Sequence, residues 1–188
     1  MKLYYTSSSS PNVEQTKPFL SLGGYKSLSS VQNSRFENFF SDISSISISN
    51  FNQNQYLGLV LKNETGNSVT GIQLWFEYPD RCFCLYRVAA VDMAIDSDGV
   101  LQMEKVYSIN DKPLNAEFHE ANGSSNKVDL GDLEIDGQIG IWIERELLLD
   151  IIKAQQSNIY EPDPNLEGRF RAIVLPVSDE IKIAISYS

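Results

Sequence analysis

With 188 residues, 42% of them hydrophobic, the chain is long enough to bury one sizeable core. Its net charge of −10 repels phosphate backbones, which speaks against sequence-specific nucleic-acid binding or anionic-membrane binding as a main activity. No run of about 18 apolar residues occurs, and the opening MKLYYTSSSSPN lacks the apolar middle of a signal peptide, so a protein made and assembled in a cytosol is expected.

The charge is uneven. Residues 1–50 hold four basic and three acidic side chains, whereas residues 51–188 hold eleven and twenty-two. Fourteen of the first fifty residues are serine, and Pro11 and Pro18 interrupt any helix or central strand. The same stretch carries Leu3, Tyr4, Tyr5, Phe19, Leu20, Leu22 and Tyr25, more apolar bulk than a solvating linker holds. Residues 1–35 therefore read as an extended N-terminal arm lying along a surface, its own or a neighbour's, ahead of a domain over 36–188.

Ser34 and Glu37 form a capping box, which predicts a helical turn over Phe36 to Phe40. From there to residue 108 the period is two. Ile46 and Ile48 alternate with serines, Leu57, Leu59 and Leu61 alternate with Gly58 and Val60, and NETGNS supplies a turn. Ile72, Leu74 and Phe76 alternate with Gln73, Trp75 and Glu77 until Pro79 and Asp80 end the run. Val91, Met93 and Ile95 then lead through DSDG into Leu101, Met103 and Tyr107, the pattern of a hairpin. DLEIDGQIGIWIERE repeats it, with Asp136 and Gly137 at a tight hairpin turn and Ile139, Ile141 and Ile143 on one face. Leu147 to Gln156 has helical spacing, and strands over Phe170 to Leu175 and Ile181 to Tyr187 close the chain. Eight or so short strands with one or two short helices predict a mainly β, antiparallel β-sandwich of jelly-roll or Ig-like type.

Signals for chemistry are sparse. Cys82 and Cys84 would point the same way about 7 Å apart in an extended segment, too far for an unstrained disulfide, and are read as small buried hydrophobes. His119 is the one histidine, with no GxSxG elbow to accompany it and no metal-ligand spacing. Asp96, Asp98 and Gly99 resemble part of a calcium loop, but Ala94 and Lys105 stand where the first and last ligands belong, so a plain turn is expected. Glu144 with Glu146, or Glu117 with Glu120, could serve glycoside hydrolysis only by chance pairing among 25 acidic residues. A non-enzymatic protein without cofactor or metal is expected. Trp75 and Trp142 fall opposite the apolar faces of their strands, and either fill a second layer or anchor a partner. With Phe19, Leu20, Leu22 and Tyr25 they make the expected partner-binding set.

Three segments, PFLSLGGYKSLSSV (18–31), YLGLVLKNETGNSVTGIQLWFE (56–77) and GDLEIDGQIGIWIERE (131–146), resemble structural proteins of tailed bacteriophages. The Asn, Ser and Ile bias resembles that of crAss-like phages. The resemblance implies a β-sandwich virion subunit of head, neck or tail, binding copies of itself and neighbouring virion proteins, assembled in the host cytoplasm into a homo-oligomeric ring or layer at the head-tail junction or in the tail. A capsid-decorating protein or a carbohydrate- or receptor-binding module is the alternative.

Overall fold

The computed structural model describes residues 1–31, 35–36, 40, 54–77, 84–148 and 181–188. Twelve strands are defined among them: β1 (Lys2–Ser7), β2 (Gly23–Ser30), β3 (Arg35–Phe36), β4 (Asn54–Lys62), β5 (Val69–Glu77), β6 (Cys84–Val91), β7 (Ala94–Ile95), β8 (Leu101–Lys105), β9 (His119–Glu120), β10 (Val128–Leu133), β11 (Gln138–Leu147) and β12 (Ile181–Ser186). They form an eight-stranded sheet in the order β7-β8-β2-β1-β4-β11-β6-β9 and a four-stranded sheet in the order β10-β5-β12-β3. Every strand pairing is antiparallel. The protein is mainly β, as its period-two patterning predicts, with the two sheets packed as a sandwich and curled into a half-barrel.

The alternation along the strands decides which face packs where. Leu57, Leu59 and Leu61 of β4, with Ile141 and Ile143 of β11 and Tyr86 and Val88 of β6, meet Ile72, Leu74 and Phe76 of β5 and Ile183 of β12 in the core between the sheets. Cys84 joins this core as a buried small residue, as expected, while Cys82 lies outside the described residues. β4 is buried along seven consecutive positions because its other face is covered too. That concave face holds a second core of Tyr4, Tyr56, Val60, Ala89, Met103, Val106 and Trp142. It exists because the large sheet curls until β8 lies over β6 and β11: a Cβ built on Gly140 would come within 2.8 Å of both Met103 and Val91.

Two of the expected local turns carry the chain further than expected. The NETGNS turn joins β4 in the large sheet to β5 in the small one, and the turn at Asp136 joins β10 to β11 in the same manner, so both are corners between sheets. The expected hairpin of residues 131–146 is thereby corrected. Asp136 does adopt the left-handed conformation, at φ 60. Asn63, fully buried, fastens the two corners together: its amide lies 2.7 Å from the Asn67 carbonyl, 3.1 Å from that of Leu133 and 2.9 Å from that of Glu134. Its backbone N–H donates to Gly137 O, and its carbonyl accepts from Asp136 N–H.

The serine-rich beginning is not a separate arm along a surface but part of the large sheet. β1 lies between β2 and β4, pairing Tyr4 with Val60 and Tyr5 with Leu59. Local composition misleads here because the polar groups are satisfied internally. Thr6 and Ser21 are fully buried. Thr6 N–H donates to Ser21 Oγ at 2.7 Å, Ser21 Oγ donates to the Gly58 carbonyl at 2.6 Å, and Gly23 N–H donates to Thr6 Oγ1 at 3.0 Å. Arg35 and Phe36 belong to β3, where a helical turn is expected from the capping box; residues 37–39 lie outside the described residues. Leu147 ends β11 and Leu148 follows it outside any helix or strand, while residues 149–156 of the expected helix lie outside the described residues, as do the strands expected at Ile46, Ile48 and over 170–175.

Candidate functional site

The concave face is ordered in rows across β4, β11 and β6. Trp142 faces Gly58 on one side and Ala89 on the other. The small neighbours make room for the indole, since a Cβ on Gly58 would stand 3.3 Å from its Cζ3 atom. The next row sets Glu144 between Tyr56 and Arg87. Glu144 is buried and accepts from the Asn54 amide at 2.7 Å, the Tyr56 hydroxyl at 3.0 Å and Arg87 Nη1 at 3.0 Å; Arg87 also reaches Glu146 at 2.7 Å. The Glu144–Glu146 pair is thus clamped on one guanidinium. That arrangement neutralises buried charge, and it leaves no separate acid and base flanking a gap.

At the opposite end of the trough two lysines lie over the Tyr4 ring. Lys26 Nζ lies 4.2 Å from the ring centroid and Lys2 Nζ 5.2 Å, while Lys62 pairs with Asp136 at 2.8 Å. The Tyr4 hydroxyl donates to Glu64 Oε1 at 2.6 Å. Burial, with the Glu64 hydrogen bond and charge, pushes the Tyr4 phenol up to about 12 from an ordinary value of 10.0. Below pH 10 the phenol is neutral in both folded and unfolded chains, so the whole contribution is present. Between about 10 and 12 the unfolded chain loses the proton first, and the contribution disappears. Tyr4→Phe is therefore expected to flatten the alkaline fall in stability over that interval, measured by urea unfolding at stepped pH.

The other expected partner-binding residues are spread widely. Tyr25 is half-buried and ties β2 to the DSDG turn: its hydroxyl donates to Asp96 Oδ2 at 2.8 Å, and Lys105 Nζ lies 4.6 Å from its ring centroid. The other Asp96 oxygen accepts from the backbone N–H groups of Asp98 and Val100, each at 2.9 Å, so this carboxylate closes the turn. Leu22 is half-buried against both cores. Trp75, on the outer face of the small sheet, is half-buried with Lys127 Nζ 4.6 Å from its ring centroid. Trp142 is 0% exposed, so it fills the second layer and is not itself a contact surface; the curl of the sheet, which local alternation does not encode, covers it. His119 is exposed, 3.9 Å from Glu117.

Phe19 and Leu20 are different. They form a 3-10 turn (Pro18–Leu20) and remain 40% and 42% exposed. Leu20 N–H donates to Lys17 O and Ser21 N–H to Pro18 O, both at 2.9 Å, and Ser21 is anchored on Gly58. Two adjacent large apolar side chains are thus held out on a braced knuckle.

At the seam where β8 meets the end of β6 lies a cleft of about 490 Å³. Val91, Ala94 and Met103 supply its apolar wall over Trp142, and Asp92, Gln102, Glu104, Lys105 and Asn115 its polar edge. Ile95 and Leu114, each one residue from a lining position, are 69% and 90% exposed. Alternation reads Ile95 as an inward residue continuing from Val91 and Met93, and it errs because the two-residue β7 is an edge strand. Leu114 carries no sequence signal beyond its place between polar neighbours.

No protein-family model, curated protein or solved structure matches the chain. Among the described residues no group of three or more His, Cys, Asp or Glu side chains is placed to hold a metal ion, and no helix is long and apolar enough to cross a membrane. Among the described residues the knuckle offers partly exposed apolar side chains and the cleft a cavity.

Proposed function

We propose that this chain is a structural virion protein of a tailed bacteriophage, a subunit that associates with copies of itself in a ring or layer at the head-tail junction or in the tail. The observation that carries the reading is the braced, exposed Phe19–Leu20 knuckle. Fixed on a braced turn, two partly exposed large apolar side chains give a subunit a preorganised anchor whose ordering cost is already met within the fold. The segments that resemble phage structural proteins fall on the knuckle with β2 and on the two corner units joined by Asn63. The net charge of −10 suits a particle surface along which DNA passes without sticking.

The test is the composition of purified particles. Mass analysis with cross-linking should find the chain in stoichiometric amount, linked to itself through residues near 17–20; its absence from particles would reject the proposal. A carbohydrate-binding module is the second reading, favoured by half-buried Trp75 on an outer sheet face. Lys127 over the ring competes with a sugar for that stacking surface. Glycan-array binding abolished by Trp75→Ala would favour this second reading over the first.

A further inference from the structure

We propose that the cleft at the β8–β6 seam is the seat of the Phe19–Leu20 knuckle of a second copy of this chain. The inference rests on the assembly reading above and names the two surfaces that meet.

The cleft asks for an apolar occupant. Scattered exposed apolar side chains are ordinary on any surface. The cleft instead gathers Val91, Ala94, Met103 and Trp142 as the apolar lining of one cavity. About 490 Å³ accommodates large side chains, and Phe19 and Leu20 are two adjacent ones left partly exposed on a turn closed by backbone hydrogen bonds. Both remain exposed within a single copy, so neither fills its own cleft.

Charge agrees with shape. Lys17, exposed and directly before the knuckle, belongs to the near-neutral first fifty residues. The cleft edge carries Asp92 and Glu104 against Lys105, a net of one negative charge, in the part of the chain with eleven basic and twenty-two acidic residues. Seating the knuckle brings a cation to an acidic edge, which favours this register and steers the encounter. Preorganisation adds to it, since the turn is closed by its own backbone hydrogen bonds before any partner arrives.

The experiment uses four full-length variants followed by sedimentation velocity. Phe19→Asp with Leu20→Asp destroys the knuckle, and Ala94→Trp fills the mouth of the cleft; all three positions are exposed, so the fold should tolerate the changes. Each variant alone should associate at least tenfold more weakly than wild type. Mixed one to one they should form a heterodimer, because one retains a sound knuckle and the other a sound cleft. Lys17→Glu should weaken association, and Asp92→Lys added to it should restore part of the loss. If both variants associate like wild type while wild type does self-associate, the contact lies elsewhere and this inference fails while the assembly reading stands. If the mixture stays monomeric, knuckle and cleft are not partners. If wild type never associates, both readings fall.

Discussion

Trp142→Ala is expected to cost about 3–5 kcal/mol, a large share of the roughly 5–15 kcal/mol that a domain of this kind possesses. The indole is fully buried in the concave core, and its neighbours across β4 and β6 are Gly58 and Ala89. Those residues are too small to move into the vacated space, so the cavity stays open and its walls lose their contacts outright. Met103 on β8 belongs to the same cluster, so the loss also loosens the curl that brings β8 over β6 and shapes the cleft. Trp142→Phe is expected to cost far less, about 1–2 kcal/mol, because most of the volume remains and the indole N–H has no acceptor among the described residues. Urea unfolding checks both: the midpoints should fall in that order. Equal midpoints for wild type and Trp142→Ala would mean that the concave face is not a packed core.

Gly23→Ala is expected to be of similar size, about 3–5 kcal/mol, for a different reason. Gly23 has φ +81, a conformation that side chains with a Cβ rarely adopt. Space is lacking as well, for an added Cβ would overlap the Glu104 carbonyl oxygen and come within 2.9 Å of Trp142 Cζ2. Gly23 sits where β2 leaves the Thr6–Ser21 hydrogen-bond cluster, so backbone relief at this point would pull Gly23 N–H from Thr6 Oγ1. A midpoint shift comparable with that of Trp142→Ala is the expected result. A near-neutral Gly23→Ala would contradict the close approach of β2 and β8. By contrast, Gly66→Ala faces open space and bears only the backbone strain of its φ +83, worth about 1 kcal/mol.

The strands with strict alternation were legible from residues alone. Leu57, Leu59 and Leu61, Ile72, Leu74 and Phe76, and Ile141 and Ile143 all face the inter-sheet core that their spacing predicts. Partner choice was not legible. The turns after Lys62 and Leu133 have the chemistry of hairpins, yet they change sheets, because the bonds that fix them run from Asn63 to residues about seventy positions away. The serine-rich beginning misled for a related reason: a serine that ends up buried on a carbonyl looks the same in sequence as one in water, and Ser21 differs only through its distant acceptor, Gly58. Period two placed Trp142 opposite Ile141 and Ile143 correctly, but whether that opposite face meets water depends on the curl of an eight-stranded sheet. Of the candidate contact residues, Phe19 and Leu20 could be found by their apolar bulk beside Pro18 in a polar stretch. Ile95 and Leu114 could not, since exposure at a strand end or in a loop is a property of the finished fold.

Self-association of the intact chain tests the central claim most directly. Sedimentation velocity across a rising concentration series at about 0.15 M salt, where surface charges are screened beyond about 8 Å, measures it. The account predicts masses that climb from 21.2 kDa to a multiple of it. A single boundary that stays at 21.2 kDa at every concentration would contradict it.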